Sequence, residues 1–159
     1  MKSMLLILLE NEPGALSRVV GLFSQRGYNI ESISVSPTED ITLSSVIIKT
    51  TGDKKIIEQI EKQLHKLINV IKIQKIKKTK YIECEIALIK INSTGYEINQ
   101  LQFILKTFKS SIVHMTSSVY IIQIHGSSNK INHFLHIIKK FSDIRQIIRS
   151  GVIAMNKNI

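Results

Sequence analysis

Apolar residues follow two spacings along this chain, and the alternation predicts strands and helices in turn. The run Met4 to Leu9 is continuously apolar, as in a strand covered on both faces. The next apolar positions follow an i, i+3, i+4, i+7 spacing and predict a helix over residues 14–26. Those positions are Leu16, Val19, Val20 and Phe23.

The pattern continues through the first half. Strands are predicted at 30–36, 42–50 and 70–76, and Asp53 can cap a helix that runs between the last two. The connection between the strands at 30–36 and 42–50 is short, so they should form a hairpin. The order is βαββαβ, the ferredoxin-like arrangement of an antiparallel sheet with both helices on one face.

The second half repeats this order. The predicted elements are a strand at 82–91, a helix at 96–108, strands at 111–115 and 119–125, a helix capped by Ser127 or Ser128, and a last strand pair around 144–155. We therefore predict an α+β fold of two ferredoxin-like βαββαβ units. The predicted domains are 1–78 and 79–159. The basic stretch Lys75 to Lys80 between them is a candidate linker, but its composition favours a solvated strand end and connection.

Composition changes this picture little. The chain has 159 residues with 43% hydrophobic content, enough for two small domains that gain from association. The net charge of +10 would ordinarily suggest a nucleic-acid partner. However, 18 of the 22 basic residues are Lys, and Ile and Asn are also plentiful, as an AT-rich coding sequence would produce. The charge therefore requires no anionic partner.

RNA binding is the main rival interpretation, because the RNA-recognition module has the same topology. That module stacks bases on aromatic residues of its central strands, and the predicted strand at 42–50 has none. We therefore expect no nucleic-acid partner, and keep a basic ferredoxin-like RNA-binding protein as the alternative.

The residues that carry chemistry elsewhere do not combine into a catalytic or metal site here. The lone Cys84 lies between Glu83 and Glu85, whose charges disfavour a thiolate, and it fits a reducing compartment. His133 and His136 lie one helical turn apart without evident further ligands. The first apolar run is far shorter than the roughly 20 residues of a membrane span. We expect a cytoplasmic protein with no catalytic residues, no metal and no membrane contact.

The loop before the first helix is the candidate binding site. Gly14 lets a ligand approach the backbone closely, and free amides at a helix start can hold a carboxylate or a phosphate. The residues alone are equally compatible with a plain helix entry, in which Asn11 caps the helix and Pro13 lies in its first turn.

A resemblance favours the binding site. The run Asn11 to Leu16, Asn-Glu-Pro-Gly-Ala-Leu, resembles the effector loop of ACT domains, which are small amino-acid-sensing modules. Read through to Ser32, the sequence resembles one ACT family in particular, the regulatory (small) subunit of acetolactate synthase. Glu58 to Leu67 and Arg149 to Val152 are also similar to that family, so the resemblance spans nearly the whole chain.

The resemblance implies that the first unit is an ACT domain and that the chain is a non-catalytic subunit. It would pair with itself through its ACT domains, bind valine, with leucine or isoleucine as alternatives, and activate and feedback-inhibit a separate large subunit. That catalytic subunit would carry thiamine diphosphate, magnesium and FAD, and this chain would hold no cofactor. Another ACT-type amino-acid sensor remains an alternative.

The resemblance also implies roles for individual residues. Asn11 would accept from the ligand ammonium, and the three amides of Gly14, Ala15 and Leu16 would hold the ligand carboxylate. The neighbouring subunit would complete the site. The implied effector-binding residues are Asn11, Gly14, Ala15 and Leu16 from one subunit, with Asn29 and Ile30 from the other.

Overall fold

The computed structural model describes residues 2–76, 81–92 and 98–157. The predicted beginning of the third helix, at 96, and residues 77–80 of the candidate linker lie outside the described residues. The elements are β1 (Lys2–Glu10), α1 (Ala15–Gln25), β2 (Ile30–Pro37), β3 (Leu43–Thr51), α2 (Lys54–Leu64), β4 (Val70–Ile76), β5 (Tyr81–Asn92), α3 (Ile98–Phe108), β6 (Ser111–Met115), β7 (Val119–Gly126), α4 (Ser128–Ile138), β8 (Ile144–Arg149) and β9 (Ile153–Asn156).

The first sheet has the strand order β2-β3-β1-β4, and neighbouring strands are antiparallel. One face of this sheet packs against both α1 and α2, because alternate residues of each strand point to the same side. The predicted hairpin is confirmed, since β2 and β3 are paired from Ile30 to Pro37. The buried core on this face contains Leu5, Ile7, Leu9, Ala15, Val19, Phe23, Val46, Ile48, Ile57, Ile60 and Leu64.

The second sheet repeats the first. Four of its strands have the order β6-β7-β5-β8, the same permutation, and α3 and α4 contribute to its core. A fifth strand, β9, also pairs with β5. The predicted α+β fold of two ferredoxin-like units is therefore confirmed. No helix in the described part of the chain is long and apolar enough to cross a membrane.

Two predicted helix caps are present. The Asp53 side chain accepts from the N–H of Ile56 at 2.8 Å, and the Ser127 side chain accepts from the N–H of Lys130 at 3.2 Å. Of the two serines considered for α4, Ser127 is thus the cap. The Ser128 hydroxyl instead donates to Glu85 Oε2 at 2.9 Å.

The carboxyl-terminal segment lies in the first of two compact units. The chain divides into one compact unit of Met1–Ile82 with Val152–Ile159 and a second of Glu83–Gly151. Val152 is 2% exposed and packs with Met4, Ile47 and Ile76, on the sheet face opposite the helices. Burial of this apolar side chain places the last residues with the first unit, although they follow the second in sequence. The boundary predicted at 78/79 lies outside the described residues and stays a prediction.

This packing can be tested with two neighbouring substitutions. We expect Val152→Ala to destabilise the first unit by about 2 kcal/mol, because it removes buried methyl groups and leaves a cavity. Ile153→Ala, at a side chain that is 57% exposed, should change stability by no more than about 0.5 kcal/mol. Hydrogen exchange of the β1 amides under increasing urea measures both. Equal effects would show that Val152 contributes no packing to this sheet.

Candidate functional site

The candidate loop begins with Asn11, whose hydrogen bonds fix its orientation. Its backbone N–H donates to Thr42 O at 2.7 Å, and its side-chain Nδ2 donates to Ile41 O at 2.9 Å. Asn11 therefore does not cap α1, and the plain helix entry with an Asn11 cap is wrong. Because Nδ2 is held by the β2–β3 turn, the Oδ1 oxygen is the part of this exposed side chain that can accept a hydrogen bond from a ligand.

The turn that holds Asn11 is itself internally bonded. Asp40 Oδ1 accepts from both the hydroxyl and the N–H of Thr42, at 2.6 and 2.9 Å. These two hydrogen bonds, the hydroxyl foremost, lower the pKa of the Asp40 carboxyl. Their contribution to the turn is therefore complete above the ordinary carboxyl pKa and is lost as pH falls through the lowered one. At neutral pH the turn presents the Ile41 carbonyl in a fixed position.

Gly14 is the residue at which the loop becomes helix. It is the N-cap of α1, with φ 84° and ψ −12°, in the left-handed region that favours glycine. No side chain caps the helix here. The N–H of Ala15 donates to Glu12 O at 3.1 Å, so one of the three amides predicted to hold a carboxylate already has a partner in the loop. Within the described residues, the Gly14 and Leu16 amides have no backbone acceptor.

Asn29 and Ile30 lie at the other end of the same sheet. Ile30 pairs with Thr50, whose hydroxyl donates to Asn29 O at 2.6 Å, whereas Glu10, just before the loop, pairs with Leu43. At about 3.3 Å per residue, the seven residue steps from Leu43 to Thr50 along β3 separate these ends by roughly 23 Å. One chain therefore brings together the four loop residues and keeps Asn29 and Ile30 far from them.

Sequence reasoning missed a polar network beside the loop. The Asn69 side chain donates from Nδ2 to Glu10 Oε2 at 2.8 Å and accepts at Oδ1 from Arg18 Nη1. Asn69 is 4% exposed and lies 59 residues from Glu10 in sequence. A single asparagine before a predicted strand carries no signal of such a pairing, so only the folded chain reveals it.

The second unit has its own charged cluster. Arg149 forms an ion pair with Glu85, which also accepts from the hydroxyl of Ser128, so this buried carboxylate is fully engaged in holding the unit together. His133, considered above as a possible ligand, packs edge-on against Phe108 with ring centroids 5.5 Å apart. The described residues contain no group of three or more side chains placed to bind a metal.

Both halves of the chain match known protein families. A family described as "AHAS small subunit-like ACT domain" matches residues 5–72, and one described as "Small subunit of acetolactate synthase" matches residues 84–158. The chain is 53% identical to the acetolactate synthase small subunit of Buchnera aphidicola (subsp. Baizongia pistaciae) over 96% of each chain. It is 46% identical to the acetolactate synthase isozyme 3 small subunit of Escherichia coli, over 99% of this chain and 96% of that one.

A solved structure agrees with these sequence matches. The crystal structure of the acetolactate synthase small subunit from Thermotoga maritima superimposes with a TM-score of 0.86 at 34% identity. The match covers 98% of this chain and 97% of that one. The likeness therefore includes both units.

The conformation of Gly14 predicts an order of tolerated substitutions. A Cβ at this position would meet nothing within 4 Å, so the cost of a side chain comes from its positive φ. We expect Gly14→Ala to lower the free energy of unfolding by about 1 kcal/mol, Gly14→Asn by less, and Gly14→Val by more. Urea denaturation of the three variants checks this order. If all three unfold like the original chain, Gly14 is not held in the left-handed region.

Proposed function

Since the chain belongs to the acetolactate synthase small-subunit family, we propose that it is a regulatory subunit that binds valine between two copies of its ACT domain. In this proposal it activates a separate catalytic subunit in branched-chain amino-acid biosynthesis and confers feedback inhibition by valine. The thiamine diphosphate, magnesium and FAD belong to the catalytic subunit.

The observation that carries the proposal is the separation of the two halves of the site. The loop and Asn29 lie at opposite ends of β3, so one chain cannot close around a small molecule at both. β2 is an edge strand, and its exposed backbone can pair with β2 of a second copy. A two-fold axis that makes this pairing antiparallel brings the loop of one copy to Asn29 of the other.

The surface beside β2 favours such a pairing. Leu16 and Val20 lie one turn apart on α1 and are 37% and 39% exposed, and Val35 on β2 is 44% exposed. These are apolar side chains on the elements that would meet across the axis. Covering them removes apolar area from water, which favours association of a unit with a small core.

The chemistry of the loop suits an amino-acid zwitterion. Asn11 Oδ1 can accept from an ammonium group, while the amides of Gly14 and Leu16, at the positive end of the α1 dipole, can donate to a carboxylate. Leu16 and Ile30 offer apolar surface to a branched side chain. Feedback then requires valine to bind more tightly to the less active state, by a coupling of about 1 to 3 kcal/mol.

The structure disfavours the RNA-binding alternative for the first unit. An RNA-recognition module would use the sheet face opposite the helices, and Ile47 at the centre of that face is only 7% exposed because Val152 packs there. Ser45 and Lys49, which share this face on β3, supply no aromatic surface for stacking.

Calorimetric titration of the purified chain with valine tests the sensing role. We expect saturable binding of valine and none of aspartate or a short RNA. Binding of leucine or isoleucine without binding of valine would identify a different effector. If a folded dimer binds none of the three amino acids, the sensing role is contradicted. Tight, salt-dependent RNA binding would overturn the whole proposal.

A matched pair of variants at Gly14 tests whether the carboxylate of the ligand binds there. Gly14→Asp and Gly14→Asn place side chains of similar size at a backbone position that tolerates both. We expect the Asp variant to bind valine at least about tenfold more weakly than the Asn variant, because its carboxylate repels that of the ligand. Activation of the catalytic subunit should be the same for both. Equal valine affinities would place the ligand carboxylate elsewhere.

The shared site is tested by mixing two inactive variants. Asn11→Ala and Asn29→Ala should each lose valine binding. In a mixed dimer, however, one of the two sites keeps both asparagines. Random exchange of subunits should therefore restore about a quarter of the sites. Mass spectrometry of differently tagged chains verifies the exchange. If the exchanged mixture still binds no valine, the site does not span two copies.

A further inference from the structure

Three residues on three elements form a continuous polar network beside the candidate loop. Glu10 is the last residue of β1, Arg18 is the fourth residue of α1, and Asn69 immediately precedes β4. Asn69 joins the other two, because its Nδ2 donates to Glu10 Oε2 and its Oδ1 accepts from Arg18 Nη1. Its backbone carbonyl also accepts from the N–H of Glu10 at 2.9 Å.

The central amide has little freedom. Asn69 is 4% exposed, and its donor and acceptor ends have different partners, so a reversed amide would face each partner with the wrong group. A buried polar group that loses its partner is costly, so the network holds its three members together.

The network contacts the chain on both sides of the loop. Glu10 precedes the loop and Arg18 follows it, so Asn69 fixes the end of β1 relative to the beginning of α1. The loop amides lie on the chain between these two points, and a shift of either would move them. Resting on the function proposed above, we propose that Asn69 is a positioning residue that holds the amides of Gly14 and Leu16 where the effector carboxylate binds.

A set of variants that exchanges the hydrogen-bonding groups tests the proposal. In Asn69→Asp, the new carboxylate can still accept from Arg18 but faces Glu10 without a donor. In the double variant Glu10→Gln with Asn69→Asp, the introduced glutamine amide can donate to the introduced aspartate carboxylate, which still accepts from Arg18. The double variant has the same net charge as the original chain and the same heavy-atom count at both positions.

The whole chain of 159 residues is used, with two measurements. The first is hydrogen exchange of the Ala15 amide in the effector-free protein, because this N–H is donated to Glu12 O within the loop. The second is the valine dissociation constant by calorimetry. We expect Asn69→Asp to speed Ala15 exchange and to weaken valine binding about tenfold, and the double variant to restore both.

Ser128→Ala is the matched control, since it removes a buried hydroxyl that donates to Glu85 in the second unit. It should lower the melting temperature and leave both loop measurements unchanged. Unchanged Ala15 exchange and valine affinity in Asn69→Asp would overturn the proposal, as would a double variant that recovers stability but neither measurement.

The two proposals can fail separately. If the original chain binds no valine but Ala15 exchange follows the predicted pattern, the sensing function fails and the positioning of the loop by Asn69 stands. If the original chain binds valine and Asn69→Asp binds it equally well, the sensing function stands and Asn69 has no positioning role.

Discussion

Strand β1 is buried on its helix-facing side and partly covered on the other, and the placement of the candidate site depends on this packing. Leu5, Ile7 and Leu9 pack under α1 and α2, while Met4 on the opposite face packs with Val152. β1 is also hydrogen-bonded on both edges, to β3 and β4. A strand held in this way cannot shift its register without moving apolar side chains between faces. The loop that follows Glu10 therefore begins from a fixed point.

The same antiparallel geometry that fixes the loop also divides the site. β1 and β2 both pair antiparallel with β3 and therefore run in the same direction, so Asn29, just before β2, lies at the sheet end opposite the end of β1. A pocket for a molecule a few ångström long cannot span that separation within one chain. Pairing of edge strands about a two-fold axis solves this, because antiparallel association brings unlike ends together. In the proposed function, sensing and dimerisation are consequences of one topology.

The sequence predicted most of the elements because their signals are local. Apolar spacing indicated β1 and α1, Asp53 marked the start of α2, and a repeat of the pattern indicated the second unit. Contacts between residues distant in sequence could not be predicted in this way. Asn69 meets Glu10 and Arg18 only in the folded chain, and Val152 reaches the first sheet although it follows the second unit. The hydrogen bond from the Ala15 N–H to Glu12 O depends on the conformation of the loop, which the spacing of apolar residues does not predict.

The helix starts in the two units explain why a ligand is proposed at α1 and not at α4. At the start of α4, the N–H of Ser128 donates to Glu83 Oε1 at 3.3 Å and its hydroxyl to Glu85. The chain's own carboxylates thus already interact with the positive end of that helix dipole. The first turn of α1 contains no acidic residue, and its N-cap has no side chain to accept from the free amides. An anionic group from a ligand is therefore stabilised more at α1 than at α4, where it would be repelled by the carboxylates already present.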